Sequence, residues 1–504
     1  MSTATDHAMT LADHLPALQV VIPLLAAPIA VILRNRDACW ALSVAVSWVS
    51  FGIALSLMGI VLDKGTLIYE MGGWAPPWGI EYHIDAANAF LLVIITAIGA
   101  LVAPYAKASV EAEVPENRGY LFYTMYLLCF TGLLGMAATG DAFNLFVFLE
   151  ISSLSTYVLI SLGKDRRSLT ASYRYLIMGT IGATFYIIGV GLLYMATGSL
   201  NMYDLAGFMA DVADSRTVLA AMAFLTVGLA LKLALFPVHV WLPNAYAFAP
   251  SVVTAFLAAT ATKVAIYALI RIDFSVFAAV NPLADSLVDG AIMALAICAM
   301  FYGSVVAIYQ NNLKRLLAYS SVAQVGYIIL GLALNSDLGL TAALIHVFNH
   351  AIMKGALFLV LGGVALKLGG VTLDKLIGAG KRMPVTMACF LGGGLSLIGV
   401  PLTVGFVSKW YLVQAAFDQG HWWIAVLIML SSLLAVIYVW RVVEIAYFKP
   451  LPEGAKPWDS EMPASMLVPT IILTGACIWF GIDAGLTLEI ATTATQTLMG
   501  GAAQ

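Results

Sequence analysis

Apolar runs of 18 residues or more recur along the whole 504-residue chain, and they leave little choice of fold. In a bilayer the backbone must satisfy its own hydrogen bonds, so only helices or closed barrels cross it. A spanning helix needs about 20 apolar residues and a barrel strand about 10. These runs fit helices and are far too long for barrel strands. Only 10% of the residues are charged and 62% are hydrophobic, against about 25% charged in soluble chains. The expected fold class is an all-α polytopic membrane protein.

Short polar or Gly/Pro stretches divide the runs into about fourteen spans. These start near Val20, Ala41, Ala87, Tyr120, Ala142, Leu169, Val218, Val252, Asp289, Asn312, Gly339, Val385, Trp422 and Met466. Basic residues collect in alternate loops: Arg34 and Arg36; Lys107 and Arg118; Lys164, Arg166 and Arg167; Lys314 and Arg315; Lys367, Lys375, Lys381 and Arg382; Lys449 and Lys456. The opposite loops carry only Lys64, Arg216 and Arg271. By the positive-inside rule the rich loops are cytoplasmic and both termini lie outside, in what is expected to be a bacterial inner (cytoplasmic) membrane. The first sixteen residues include Asp6, His7, Asp13 and His14, and the first basic residue is Arg34. A cleavable signal needs a positive start, so the first helix is expected to stay.

Between the second and third spans, TLIYEMGGWAPPWGIEYHID sets two short β-prone runs around a Gly/Pro/Trp turn. That pattern suggests an outer-face hairpin, with an interfacial aromatic loop as the other reading. Cys39, Cys129, Cys298, Cys389 and Cys477 are widely separated in or beside apolar runs. No CxxC or His-spaced pair among them encodes an iron–sulfur cluster or structural zinc, so no cofactor or metal is expected and the thiols read as small buried hydrophobes. The net charge of −4 points to no nucleic-acid partner.

Four lysines break the apolar pattern: Lys232, Lys263, Lys354 and Lys409. Each costs roughly 2.5–3.5 kcal/mol at mid-membrane on insertion scales, so all four must be paired, hydrated or partly neutral. The clearest acidic partner is Glu150, in DAFNLFVFLEISSLSTYVLI, which suits Lys232. Opening and closing that pair would switch a proton on and off the lysine; the alternative is a structural salt bridge. His346, His350 and Lys354 are spaced by four and so share one helix face. Imidazole exchanges protons near neutral pH, so the stripe suits passage from Lys263 towards Lys409. Zinc binding by HxxxH, for which no third ligand is evident, and plain helix–helix hydrogen bonding are the rivals. His239, in PVHVWLP, either links Lys232 to Lys263 or to cytoplasmic water, or satisfies freed carbonyls. Ser320, Ser321 and Gln324, in YSSVAQVGY, suit holding waters in the path or packing helices. Asp141 and Glu444 read as interfacial.

Pro237 breaks the seventh span and Pro401 the twelfth, each near a lysine. A five-span spacing reverses orientation, which is the inverted-repeat plan of many transporters. The expected organisation is a three-helix segment with the hairpin loop over 1–118, five-helix repeats over 119–272 and 287–448, and a last loop and helix over 449–504.

Taken in order, FNLFVFLEISSLSTYVLI, LKLALFPVHVWLPNAYAFAPS, TKVAIYALIR, KRLLAYSSVAQVGYI, HVFNHAIMKGALFL and GVPLTVGFVSKWYL span nearly the whole chain. Together they resemble the antiporter-like subunits shared by Mrp-type cation/proton antiporters, respiratory complex I and membrane-bound hydrogenases. The resemblance implies fourteen helices with two inverted five-helix repeats. It also implies a proton path from Glu150 through Lys232, Lys263 and the His346/His350/Lys354 helix to Lys409. Lys409 stands where one complex I branch has glutamate. Tyr246 stands where many complex I members have histidine, which weakens any relay there and is more similar to the D-type branch of the Mrp antiporters. The chain ends soon after its fourteenth span, without the long lateral helix of the largest complex I relative.

The function expected on this basis is a proton-translocating subunit of a multi-subunit Na+/H+ antiporter. It would work with other membrane subunits in a lipid bilayer, with protons and Na+ as the transported ions. A proton-pumping subunit of a complex I-related or hydrogenase redox complex is the alternative, as is an energising partner of an inorganic-carbon uptake system. No soluble stretch is long enough to fold a catalytic domain, so a secondary transporter rather than an enzyme is expected.

Overall fold

The computed structural model describes residues 11–278, 280 and 286–500. Asp6, His7 and residues 281–285, which follow α11, lie outside the described residues. The helices are α1 (Leu15–Leu33), α2 (Arg36–Lys64), α3 (Ala86–Glu113), α4 (Gly119–Ala138), α5 (Ala142–Ser161), α6 (Arg167–Thr197), α7 (Met202–Val212), α8 (Arg216–Leu233), α9 (Leu242–Phe248) and α10 (Ser251–Ala259). They continue as α11 (Ala261–Arg271), α12 (Ser286–Ile308), α13 (Leu313–Ala333), α14 (Asp337–Leu368), α15 (Ala379–Arg382), α16 (Pro384–Ile398), α17 (Val404–Asp418), α18 (Trp422–Val443), α19 (Ala464–Ile482) and α20 (Gly485–Gly500). Among the described residues, thirteen helical stretches are long and apolar enough to cross a membrane, and α16 is apolar but shorter. The protein is thus an all-α polytopic membrane protein.

Polar residues in the loops start the helices. Asn35, Asp141, Asn312 and Ser336 each accept a hydrogen bond from a backbone N–H in the next helix's first turn. Asp85 forms a full capping box with Asn88 at the start of α3. Such caps satisfy donors that the helix cannot. Between helices the approach is close: a Cβ on Gly228 of α8 would sit 2.7 Å from the Gly182 carbonyl of α6, as small residues allow in membrane helices.

α14 is the axis of the molecule. Of its 32 residues 25 are buried, and it packs against α3, α10, α13, α16, α17, α19 and α20. Three helix breaks surround it. α8 stops at Ala234, which is left-handed (φ 60°), and the chain resumes as α9 with Pro243 in its first turn. α10 and α11 meet at Thr260. α16 stops at Gly399 (φ 89°) before α17 begins.

The loop after α2 is a two-stranded hairpin, β1 (Leu67–Glu70) paired antiparallel with β2 (Glu81–Ile84). It ties the neighbouring connections together: Gly140 N donates to Glu81 O, the Asn201 amide to Glu81 Oε1 at 2.8 Å, and His83 stacks on Tyr203 at 3.7 Å.

The structure also corrects the sequence reading. Arg271 is not a loop residue: it is buried and its guanidinium meets Asp85 at 2.6 Å, so β2's end and α11 are joined by an ion pair. Cys298 is exposed on α12 while the other four cysteines are buried. α7 and α20, of 11 and 16 residues, are helices that the expected spans did not include. Lys314 joins the buried lysines, its ammonium donating to Ala249 O at 3.0 Å.

Candidate ion path

Glu150 lies midway along α5 and Lys232 in the last turn of α8. Lys232 Nζ is 3.6 Å from Glu150 Oε1 and donates to Ser153 Oγ at 2.7 Å. The Lys232 side chain is 6% exposed and that of Glu150 is 25% exposed, although the carboxylate oxygen that faces Lys232 is itself buried. Ser153 follows Glu150 by three and therefore shares its helix face. Lys232 is alone among the four mid-span lysines in having a carboxylate within 4 Å among the described residues.

The other three ammonium groups are held by neutral oxygens. Lys263 lies just past the Thr260 break and donates to the carbonyl of Ala258, with Thr262 Oγ1 at 3.3 Å. Lys354 donates to Leu317 O at 2.9 Å and to Ser320 Oγ at 2.5 Å, both on α13. Lys409 donates to Leu397 O at 3.2 Å, Ile398 O at 2.8 Å and Ser432 Oγ at 3.0 Å, and it lies 4.8 Å from the Tyr327 ring. Leu397 and Ile398 end α16, so their carbonyls have no helical partner and carry the negative end of the helix dipole. The break beside Lys409 makes the group that holds it.

On α14, His346 connects two helices. Its Nε2 donates to Gln324 Oε1 at 2.9 Å and its Nδ1 accepts from Ser408 at 2.7 Å, with the side-chain amide oriented as it stands. Ser408 immediately precedes Lys409, so the residue that His346 bonds is the chain neighbour of the last lysine. His350 is fully buried, with its ring 6.2 Å from that of His346, and neither nitrogen has a protein partner.

The remaining candidates divide. Ser320 contacts Lys354 and Gln324 contacts His346, so both join the line. The Ser321 hydroxyl donates back to Leu317 O of its own helix at 3.0 Å. Tyr246 donates to Leu257 O at 3.4 Å and meets Phe358 edge-on, which is packing between α9, α10 and α14. His239 makes no hydrogen bond to Lys232 or Lys263. Its ring is stacked on Phe236 and packed against Tyr302 of α12 at 5.1 Å. The carbonyl freed at that break is served instead by Trp241, whose indole N–H donates to Leu231 O at 2.9 Å.

Several groups went unread in the sequence: Ser153, Ser408, Ser432, Tyr327, and Asn349, whose amide donates to Val404 O at the start of α17 at 2.6 Å. Ser408 is next to a mid-span lysine and Ser153 one turn from Glu150, which are usable signals. Backbone carbonyls have no sequence signal. Among the described residues no cluster of three His, Cys, Asp or Glu side chains has metal-ligand geometry.

Residues 139–435 match the family described as NADH:quinone oxidoreductase/Mrp antiporter, transmembrane. NADH-quinone oxidoreductase subunit N of Desulforudis audaxviator is 44% identical over 486 residues, covering 93% of this chain and 96% of that one. The D-type subunit of the Na(+)/H(+) antiporter of Bacillus subtilis is 30% identical over 484 residues, covering 96% of each. Among solved structures, a chain of the Mrp complex from Dietzia superposes with a TM-score of 0.89 at 27% identity, covering 97% of this chain and 98% of that one.

Proposed function

Since the chain belongs to the NADH:quinone oxidoreductase/Mrp antiporter family, we propose that it is the proton-translocating subunit of a multi-subunit Mrp-type cation/proton antiporter in a bacterial cytoplasmic membrane. The observation that carries this reading is the Glu150–Lys232 pair, 3.6 Å apart at the end of a broken helix. The proposed path starts there and continues through Lys263, then His350, Lys354 and His346 of α14, and ends at Lys409. Ser320 flanks it at Lys354, and Gln324 and Ser408 flank it at His346. In the proposed cycle, closing the Glu150–Lys232 pair holds a proton on the lysine and opening it releases that proton inward along the line. The five-helix segments 119–272 and 287–448 are the proposed inverted repeats, with Lys232 and Lys409 at their corresponding breaks. Both termini face outward, and Na+ leaves through the assembled complex.

The test is exchange by the whole complex in everted vesicles. Lys232→Ala and Glu150→Ala are each expected to abolish cation-dependent proton movement while native gels show an assembled complex. Unimpaired exchange in both variants would overturn the reading.

A second reading, a proton-pumping subunit powered by electron transfer elsewhere, is favoured by the 44% identity to a relative named as an NADH-quinone oxidoreductase subunit. Purification of the native complex separates the two. Companion subunits carrying iron–sulfur clusters mark the redox-driven form, and small membrane subunits alone mark the antiporter.

A further inference from the structure

A cleft of about 210 Å³ opens between the start of α6 and α9, lined by Arg167, Thr170, Ala171, Arg174, Asn244 and Phe248. Arg167 is already engaged: it binds Asp165 at 2.7 Å and lies over the Phe248 ring at 4.6 Å. Arg174 is not. It is exposed, and it has no hydrogen bond or ion pair to any described residue.

The depth of Arg174 is informative. α6 has 31 residues, about 46 Å at 1.5 Å each, so it overhangs a hydrocarbon core of about 30 Å by about 8 Å at each end. Arg174 lies seven residues, about 10 Å, from the start. Its Cα is therefore at the boundary between headgroups and acyl chains, and its long side chain reaches back to phosphate level. On the same helix Tyr173, Ile177 and Ile181 are 62%, 44% and 42% exposed, spaced by four, which makes an apolar stripe running inward from that level. The cleft that shares Phe248 with it is lined by Lys164 and Lys314 but also by Glu113 and Asp165, and Arg118, Lys164 and Arg166 line a further cleft beyond, so this margin is basic on balance, as attracts anionic lipid.

We propose that this cleft binds the headgroup of an anionic phospholipid, with the Arg174 guanidinium and the Asn244 amide on its phosphate and its acyl chains along the Tyr173–Ile181 stripe. A neighbouring subunit's carboxylate would answer the charge but would leave that stripe uncovered. The bound headgroup bridges α6 to α9, the short helix that follows the break after Lys232. Two residues of the same pair of elements already touch nearby: Tyr175 is stacked on Trp241 at 3.9 Å, and Trp241 holds the Leu231 carbonyl beside Lys232. The lipid thus steadies the first break from the membrane side.

The experiment uses the purified complex, with wild-type chain or Arg174→Gln, reconstituted in phosphatidylcholine with or without a fixed fraction of phosphatidylglycerol. Native mass spectrometry reads the phosphatidylglycerol retained, and proton uptake is followed in parallel. The wild type is expected to retain phosphatidylglycerol and to be stimulated by it. The glutamine variant should retain about fivefold less, the loss of one basic contact, and lose the stimulation. Equal retention by both overturns the proposal. So does an Arg174→Glu chain that fails to assemble in either lipid while Arg174→Gln retains lipid normally, since a partner's carboxylate is then the occupant. Retention is read without reference to the transported ion, so failure of the antiporter reading leaves this test intact.

Discussion

Shortening Glu150 by one methylene gives a graded test of the Glu150–Lys232 switch. At 3.6 Å the pair's attraction is about 4.6 kcal/mol at an effective dielectric of about 20. Glu150→Asp withdraws the carboxylate by one carbon–carbon bond, to roughly 5.1 Å, where the attraction is about 3.3 kcal/mol. The difference, about 1.3 kcal/mol, is close to a factor of ten. Glu150→Gln removes all of the charge attraction and leaves the ammonium on Ser153 Oγ alone. The expected order of initial rates, measured by a pH-sensitive dye in proteoliposomes holding the whole complex, is therefore wild type, then Asp about tenfold slower, then Gln at the background. Glutamine is closer to glutamate in size than aspartate is, so a packing role predicts the reverse order of the two variants. Gln equal to or faster than Asp would refute the electrostatic reasoning.

Gly405→Ala places a methyl group in the Ser396 carbonyl at the α16–α17 break, and overpacking of this kind costs about 1–3 kcal/mol. A lower melting temperature with reduced transport is expected, and an unchanged melting curve would contradict the tight crossing. Arg271→Gln strands Asp85, which is 1% exposed, and losing half of a buried pair costs about 3–5 kcal/mol. Thermal unfolding should show it, with Arg271→Gln/Asp85→Asn recovering part of the loss. His83 is pushed down to about 4 by burial, with Arg271 adding to the shift and Asp85 opposing it. Between pH about 6.5 and about 4 the unfolded chain therefore binds the extra proton and the folded one does not. Its contribution is nil above about pH 6.5, and stability falls as pH drops towards 4. Burial of Glu81 raises its carboxyl and gives a slope of opposite sign above 4.5, so the difference between wild type and His83→Gln isolates the imidazole.

The mid-span lysines, Glu150 and the four-spaced stripe of α14 stood out in the sequence because a charge in a twenty-residue apolar run is costly unless it is paired or hydrated. The breaks at Pro237 and Pro401 were readable from proline's missing N–H. What receives the ammonium groups was not readable. Leu397 O, Ile398 O and Ala258 O belong to the backbone, and Ser153 and Ser432 reach their lysines from other helices. Arg271 was misplaced for a related reason. It ends an apolar run, so it looks like a loop residue until the hairpin folds Asp85 back against it. α20 was missed because Thr and Glu interrupt its apolar pattern, although Thr495 is hydrogen-bonded to Thr341 of α14 at 2.9 Å.

The way these cations are held is uneven, and the unevenness has a consequence. A carboxylate places a full counter-charge beside Lys232. Carbonyls and hydroxyls place only partial charges beside Lys263, Lys354 and Lys409, at 2.5 to 3.3 Å where distances are resolved. Interrupting a helix is what supplies some of those partial charges, because each broken end exposes carbonyls that a continuous helix would consume. Neutral dipoles can turn when an ammonium loses its proton, whereas a carboxylate left alone keeps its charge. Three of the four lysines therefore have no fixed counter-charge beside them, and the fourth faces Glu150, whose side chain is a quarter exposed. In the proposed path, a charge brought up to α5 would act on Glu150 first and on Lys232 through it.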